Sequence, residues 1–481
     1  MKKILAIALV LMLTLSLLTA CGDNSGGNGN DSNGGGTAAN GSTVPSVAWA
    51  KNFGGSKEHY FMSAASSGDE YVAVGYTYKD SFGTGDWDSF SGKGGQDGII
   101  VKFDKNGGVV WKKNFGGDGD DRFNSVISVS DGYVVAGCAG NFGKGDWASV
   151  PAGGGQAVIV KFDLNGNVVW QKNYGGFGLD EFYAVTSVGD GYVAVGEASL
   201  LSSAGYIAAG MTIKADWNPD SWKGKADATV VKFDLNGGVV WAKNFGGSDV
   251  DTFRAVSSDG DGFVAAGWSK EGSFGNGDWD SISGKGEQDA IIVKFDQNGS
   301  VVWKKNFGGK DTDYFCSVTS DSSGYAATGY SFDRSFGNGD WDDVSGKGSF
   351  DATIVKFDQN GDMVWNKNFG GKGTDYFYSV IPDSGGYVAA GYAGSFGTGD
   401  WDGLTGGGYD GVIVKFDENG EAAWKTNFGG GNADFFRTVI SVNDGYIAVG
   451  ESRTGSFGSG DWAGATAKGD QDGIIVKFGL K

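Results

Sequence analysis

The stretch Ile291–Gly309, IIVKFDQNGSVVWKKNFGG, decides the fold. Two runs rich in β-branched and aromatic residues flank Asn298-Gly299 in it. Asn-Gly between two such runs is the strongest short signal of a β-hairpin, because a type I′ turn needs positive φ at both central residues. The stretch therefore predicts two antiparallel strands joined by a tight turn, and it ends in the motif Trp-x-Lys-Asn-Phe-Gly-Gly.

A motif of this form occurs seven times at spacings of 62, 59, 71, 62, 62 and 59 residues. Its tryptophans are Trp49, Trp111, Trp170, Trp241, Trp303, Trp365 and Trp424. The Asn-Gly pair recurs six times, at Asn106, Asn165, Asn236, Asn298, Asn360 and Asn419. Each repeat holds two more strand candidates, such as Tyr314–Val318 and Gly191–Gly196. Four short antiparallel strands repeated seven times predict an all-β, seven-bladed β-propeller, whereas a β-solenoid, the alternative, has shorter coils.

The two ends of the repeat region carry complementary parts of one repeat. It opens with an isolated strand of the outermost type, Val47–Lys51, and closes on a third strand, Ile474–Phe478, that no hairpin follows. We therefore predict that the N-terminal strand completes the last blade and closes a ring, with the propeller spanning residues 44–481.

The N-terminus has the pattern of an export signal. Two lysines precede the apolar run Ile4–Ala20, which ends in Leu18-Thr19-Ala20-Cys21. These four residues resemble the lipobox of bacterial lipoproteins. The resemblance implies a signal peptide of residues 1–20, cleavage before Cys21 and lipidation of Cys21, which anchors the protein. Residues 21–43 are predicted to be a flexible Gly/Asn/Ser tether.

This interpretation places the protein outside the cytoplasm, on the cell membrane or, in a host with two membranes, in the periplasm or at the outer membrane. The formal net charge is -20, and loss of Lys2 and Lys3 with the leader leaves 36 basic residues against 58 acidic ones. Such a surface disfavours binding to nucleic acid. Of the three cysteines, Cys138 and Cys316 fall nearly opposite in the ring, so we expect no disulfide and small buried side chains instead.

The stretch Lys-Phe-Asp-x-Asn-Gly-x-Val-Val-Trp resembles the tryptophan-docking hairpin of quinoprotein-like propellers. The whole repeat also resembles those of bacterial surface propeller proteins. The first resemblance would imply a redox cofactor, but such enzymes usually have eight blades and often a vicinal cysteine pair, which this sequence lacks. We therefore predict no cofactor, and the resemblance bears on architecture alone.

The loop between the second and third strands carries an Asp-Trp pair in every repeat. These candidate ligand-binding residues are Asp86, Trp87, Asp146, Trp147, Asp216, Trp217, Asp278, Trp279, Asp340, Trp341, Asp400, Trp401, Asp461 and Trp462. In one interpretation the indole stacks on a sugar while the carboxylate accepts from its hydroxyls. In the other, the tryptophan folds back over its blade and the aspartate binds loop N–H groups. A third interpretation is calcium bound by Asp86, Asp88 and Asp97, and by Asp278, Asp280 and Asp289.

A second candidate set follows the Gly-Gly pair. An acid stands ten residues after six of the motif tryptophans, and repeat 1 has His59, the only histidine, in that place. A phenylalanine follows two residues later in all repeats, and the residue after it varies: Met62, Asn124, Tyr183, Arg254, Cys316, Tyr378 and Arg437. Variation between near-invariant neighbours is what a specificity position shows, and also what an unconstrained position shows. Arg254 and Arg437 are the candidates retained from it.

Repeat 3 departs most from the others, with an insert at Leu200–Thr212 and a tryptophan at Trp222. The sequence offers no His-based triad or nucleophile–base pair that can be named, one histidine cannot form a His-rich metal site, and no metal is predicted. The first hypothesis is a monomeric, membrane-anchored, non-catalytic binding protein for glycan or cell-envelope material. The alternatives are a scaffold for envelope proteins and a glycoside hydrolase that uses a pair of carboxylates.

Overall fold

The computed structural model describes residues 37–38, 43–150, 156–176, 178–199 and 222–480. The strands form seven antiparallel sheets, and in the first six the four strands follow chain order from the inside outward. These are β3 (His59–Ser67), β4 (Glu70–Tyr78), β5 (Gln96–Phe103) and β6 (Val109–Phe115); β7 (Asp121–Val129), β8 (Gly132–Ala139), β9 (Ala157–Asp163) and β10 (Val168–Tyr174); β11 (Asp180–Val188), β12 (Gly191–Ser199), β13 (Ala226–Asp234) and β14 (Val239–Phe245); β15 (Asp251–Ser258), β16 (Gly262–Lys270), β17 (Gln288–Asp296) and β18 (Val301–Phe307); β19 (Asp313–Asp321), β20 (Gly324–Phe332), β21 (Phe350–Phe357) and β22 (Met363–Phe369); and β23 (Asp375–Asp383), β24 (Gly386–Gly394), β25 (Tyr409–Asp417) and β26 (Ala422–Phe428).

The seven sheets close into a ring, which confirms the predicted seven-bladed propeller. Each innermost strand contacts the innermost strand of the next blade, and β27 (Asp434–Val442) of blade 7 contacts β3 of blade 1. The third strands lie between neighbouring sheets and are buried on both faces; Ile99, Ile100 and Val101 have no exposed surface. A continuous apolar run, rather than strict alternation, is what a strand covered on both faces requires.

The predicted clasp is confirmed. Blade 7 consists of β27, β28 (Gly445–Arg453), β29 (Gln471–Gly479) and, as its outermost strand, β2 (Ser46–Phe53). The β2–β29 ladder runs from Ser46↔Gly479 to Phe53↔Gly473. A two-residue strand, β1 (Thr37–Ala38), pairs with β26 and adds a fifth strand to blade 6. The leader and Cys21 lie outside the described residues.

The Asn-Gly hairpins are present, but the predicted type I′ turn is wrong. In the hairpin of blade 1 only Gly107 has positive φ, at 77°, and the N–H of Gly107 donates to the carbonyl of Asp104. The Asp104 carboxylate accepts from the N–H groups of Asn106 and Gly108, at 2.8 and 2.9 Å. The aspartate before the Asn-Gly pair thus builds a three-residue loop, a type I turn closed by a left-handed glycine.

Each hairpin receives the motif tryptophan of the preceding blade. Trp49 of β2 donates through Nε1 to the carbonyl of Lys105, 3.1 Å away. Its ring lies so close to the turn that a Cβ at Gly107 would meet it at 2.9 Å. The glycine therefore serves both the turn and the contact between blades.

The connections are short except between second and third strands. The helices within the described ranges are 3-10 turns: Lys79–Ser81, Gly85–Trp87, Gly145–Ser149, Glu271–Ser273, Gly277–Trp279, Asp333–Ser335, Gly339–Trp341, Gly399–Trp401, Thr454–Ser456 and Gly460–Trp462. Six of them carry the Asp-Trp pairs. Among the residues described, no helix has the length and apolar character needed to span a membrane.

Candidate functional site

The tryptophans of the Asp-Trp loops are buried between adjacent blades. The six described ones are 0–2 % exposed: Trp87, Trp147, Trp279, Trp341, Trp401 and Trp462. Trp341 meets Phe307 edge to face, with centroids 4.8 Å apart, and donates through Nε1 to the carboxylate of Asp313 at 2.9 Å. Equivalent bonds of 2.8–2.9 Å join Trp147 to Asp121, Trp279 to Asp251, Trp401 to Asp375 and Trp462 to Asp434. A sugar cannot stack on a ring without an exposed face. These tryptophans therefore pack against the blades, as in the second interpretation of the Asp-Trp pairs.

The aspartates of the same loops join adjacent blades. Asp340 accepts from the N–H of Gly308 at 2.9 Å and forms an ion pair with Lys285 of the preceding loop at 2.5 Å. The same arrangement joins Lys93 to Asp146, Lys223 to Asp278, Lys347 to Asp400 and Lys468 to Asp86, the last across the closure of the ring. Asp461 accepts from the N–H of Gly429 at 3.0 Å. Asp216 and Trp217 lie outside the described residues.

The carboxylates considered as calcium ligands also accept hydrogen bonds from the protein. Asp289 accepts from the backbone N–H groups of Lys285 and Gly286 and from the amide of Asn306, at 2.6–3.0 Å. Asp280 is exposed. Over the described ranges no group of three or more His, Cys, Asp or Glu side chains could hold a metal ion.

His59 and its six acidic counterparts are buried. His59 has no exposed surface, and its Nδ1 lies 3.1 Å from the carbonyl oxygen of Lys57. Burial lowers the pKa of its imidazole to about 4. The counterparts are 0–2 % exposed: Asp121, Asp180, Asp251, Asp313, Asp375 and Asp434. These side chains are therefore part of the packed interior of the propeller.

The variable residue that follows the invariant phenylalanine lies at an irregularity of each sheet. In each blade the register between the first and second strands shifts at this residue, as between Phe253 and Ala255 around Arg254. The seven β-bulges are the same in kind and lie at Met62, Asn124, Tyr183, Arg254, Cys316, Tyr378 and Arg437. We call these residues the bulge ring. A bulge leaves one residue outside the ladder and re-aims its side chain, often beside a functional site.

All seven residues of the bulge ring line one central cavity of about 650 Å³. Every blade contributes to its wall, which also includes Tyr76, Trp268, Tyr314 and Tyr330. This volume lies within the range of small-molecule sites. Cys138 and Cys316 are both free, as expected, but half-buried. Burial raises the pKa of the Cys316 thiol to about 12, which keeps it neutral in the cavity wall.

The two arginines of the ring have different surroundings. Arg437 forms a two-pronged ion pair with Glu451, with nitrogen–oxygen distances of 2.5 and 3.0 Å, and Glu451 is 1 % exposed. Arg254 stacks on the ring of Tyr183, with its guanidinium carbon 3.9 Å from the centroid. Among the residues that the structure describes, no carboxylate lies within ion-pair distance of Arg254.

Sequence reasoning missed a second variable layer beside the bulge ring. It consists of cross-strand pairs just before each bulge: Tyr60↔Tyr76, Arg122↔Cys138, Glu181↔Glu197, Thr252↔Trp268, Tyr314↔Tyr330, Tyr376↔Tyr392 and Phe435↔Glu451. Blades 5 and 6 supply stacked tyrosines, with Tyr330 and Tyr376 4.0 Å apart between centroids. Blade 3 supplies two glutamates, and Glu181 accepts from Asn124 at 2.7 Å. The channel wall therefore has an aromatic side and a polar side.

The insert of repeat 3 lies outside the described residues, and Trp222 packs against the core between blades 2 and 3. A seven-bladed propeller with one asymmetric central cavity is thus the class that fold and site define.

Comparisons with protein-family models and with curated proteins found no match. Among solved structures, the chain is similar to the WD40 β-propeller domain of Doa1, at 11 % identity over 90 % of this chain and 97 % of that one, with a TM-score of 0.44. It is similar to Sqt1 from Chaetomium thermophilum, at 12 % identity over 90 % and 100 % of the chains, with a TM-score of 0.42. It is also similar to the phage phi92 endosialidase, at 8 % identity over 90 % and 69 %, with a TM-score of 0.43. No functional inference follows from similarities this low.

The buried carboxylates between blades predict an unusual pH dependence. Asp410 and Asp434 flank Gly429 so closely that a Cβ there would lie 2.6 and 2.8 Å from their oxygens. Burial and the neighbouring charge raise the pKa of Asp410 to about 7, and those of Asp121 and Asp375 equally. A pKa raised in the folded state adds stability at low pH that is lost as the pH rises through 7.

We therefore expect the thermal unfolding midpoint to rise when the pH falls from 8 to 5.5. His59 acts in the opposite sense, since its lowered pKa costs stability as the pH falls below 6.5, but it is one group against several carboxyls. Differential scanning calorimetry of the full chain checks this, and Asp410→Asn should flatten the profile. A midpoint that falls steadily from pH 8 to 5.5 contradicts the expectation.

Proposed function

We propose that the protein is a lipid-anchored, extracytoplasmic and non-catalytic binding protein whose ligand occupies the central cavity. The observation that carries the proposal is where the seven-fold symmetry of the chain breaks. The turns, the Asp-Trp loops and the docking tryptophans repeat from blade to blade, whereas the bulge ring holds five different residue types in seven positions. Structure must repeat in a symmetric ring, but a site for one ligand need not.

The anchor rests on the leader and on Cys21, and the tether of residues 21–43 would hold the ring clear of the bilayer. The volume of the cavity limits the size of the ligand. A volume of about 650 Å³ suits a molecule of drug size. A long glycan chain does not fit it, so cell-envelope material would bind as a small fragment or precursor.

A scaffold role is the second candidate, and one observation favours it. The outermost strands expose pairs of apolar residues, such as Val301 and Val302 at 43 and 58 %, and Val239 and Val240 at 49 and 54 %. Exposed apolar surface that recurs on neighbouring blades is typical of contact with a partner. The experiment below tests the cavity function, and it uses a change on the outer surface as its control.

The test is saturation-transfer NMR on the full chain in detergent with a set of neutral, cationic and anionic small molecules. Cys316→Trp places a large side chain in the cavity wall, and Val302→Trp is the matched control on the outer surface. We expect binding of part of the set, lost in Cys316→Trp and retained in Val302→Trp, with similar unfolding midpoints. Absence of any binding, or binding that Cys316→Trp leaves unchanged, overturns the proposal.

A further inference from the structure

The arginines of this chain are concentrated in the channel. Lysine and arginine together number 38, only five of them arginines, and three of those five, Arg122, Arg254 and Arg437, line the central cavity. Arginine differs from lysine in presenting a planar fork of donors that matches a carboxylate in two places at once. We propose that the cavity binds a small planar organic carboxylate, which Arg254 holds by its guanidinium; this rests on the proposed function of the cavity.

Two of the three arginines are already engaged. Arg437 is neutralised by the buried carboxylate of Glu451. Arg122 donates through Nε to the amide oxygen of Gln96 at 2.6 Å and lies over the ring of Tyr76. Arg254 also lies over a tyrosine, the ring of Tyr183, but among the described residues its guanidinium has neither an ion pair nor a side-chain hydrogen bond. A stacked guanidinium keeps its N–H donors at the edge, where an anion can accept two of them.

Other groups of the wall fit the same ligand. The Nε1 atom of Trp268, in the same blade as Arg254, is buried and has no hydrogen-bond partner among the described residues. The rings of Tyr314 and Tyr330 continue the wall, 4.7 Å apart between centroids. Aromatic faces of this kind bind a planar ring by offset or edge contacts. The wall thus combines a cation for the carboxylate with aromatic surface for the rest of the ligand.

Arg254 is the cation of the wall that is left without an acid. The cavity is lined by three arginines and one acid, Glu181, and Glu451 pairs with Arg437. The chain as a whole carries -20, so its outer surface repels large polyanions. A small anion that can enter the cavity meets the guanidinium of Arg254, for which no carboxylate lies within ion-pair distance among the described residues.

The test compares 4-hydroxybenzoate with 4-hydroxybenzamide, which share ring and size but differ in charge, by isothermal titration calorimetry on the full chain in detergent. We expect the carboxylate to bind at least tenfold more tightly than the amide. Arg254→Gln should abolish this preference and Arg254→Lys should retain part of it, since a lysine keeps the charge without the fork. Arg334→Gln is the control, because Arg334 lies on the surface in an ion pair with Asp311.

Equal affinity for the two probes, a preference that survives Arg254→Gln, or no binding of either probe overturns the inference. Its failure is distinguishable from failure of the proposed function. If neutral or cationic molecules bind and Cys316→Trp excludes them, the cavity is the site but its ligand is not a carboxylate. If no member of the wider set binds in the cavity, both proposals fail together.

Discussion

Removal of β2 is expected to prevent cooperative folding of the propeller. A fragment beginning at Gly54 leaves blade 7 with three strands and exposes the edge of β29. It also loses Phe53, which is 2 % exposed, and the contact of Trp49 with the hairpin of blade 1. Truncation of one buried phenylalanine costs about 3–5 kcal/mol, and a whole strand removes more than one such side chain. We expect insoluble protein, or an unfolding midpoint lowered by more than about 10 °C.

The matched control is a fragment beginning at Thr43, which loses β1 but keeps β2. It should unfold at nearly the temperature of the full chain, because β1 contributes two residues at the outer edge of blade 6. A peptide of residues 43–55 added during refolding should restore the shorter fragment if the clasp is its only defect. Equal midpoints for the two fragments would show that β2 does not close the ring.

Replacement of Trp341 by alanine is expected to destabilise the protein by about 3–5 kcal/mol. The indole fills the core between blades 4 and 5, and its loss leaves the buried Asp313 without one of its donors. Blade 1 offers an internal comparison. Trp87 is equally buried, but His59 occupies the place of the aspartate and the Trp87 Nε1 has no hydrogen-bond partner among the described residues.

The two blades therefore separate the hydrogen bond from the packing. Trp341→Phe loses ring volume and a bond to a carboxylate, whereas Trp87→Phe loses ring volume and no bond of its Nε1 within the described structure, and keeps an aromatic face for the Lys112 ammonium, which lies 5.9 Å from the centroid of the Trp87 ring. We expect Trp341→Phe to cost about 1–3 kcal/mol more, measured by urea denaturation at pH 7. Equal costs in the two blades would mean that the Asp-Trp bond adds nothing, and the structural role assigned to these loops would rest on packing only.

The architecture could be predicted from the sequence because each of its signals is local or periodic. The spacing of the motif tryptophans shows the number of blades, and the unpaired strand candidates at the two ends show where the ring closes. The turn type could not be derived from Asn-Gly alone. It depends on Asp104 and its counterparts, whose carboxylates bind the backbone of the loop and select a three-residue turn.

The candidate site could be derived only in part from the sequence, because residues that repeat in every blade stand out in the sequence while they serve the fold. Burial decides between a binding tryptophan and a packing one, and burial depends on the loop from the neighbouring blade that covers it. The bulge ring left a signal in the sequence, as variation between an invariant phenylalanine and a small residue. Only the register shift, which occurs at Arg254 and at the other six positions, shows that this residue lies at a β-bulge. No periodicity of the sequence records that shift.

The central claim is that the bulge ring binds the ligand, and a crystal structure of residues 43–481 grown with saturating 4-hydroxybenzoate tests it most directly. We predict the ligand in the central cavity, its carboxylate within hydrogen-bond distance of the Arg254 guanidinium and its ring against the tyrosines of the wall. Ligand bound at the Asp-Trp loops or on the outer strands, or a cavity that remains empty at saturation, would contradict the claim.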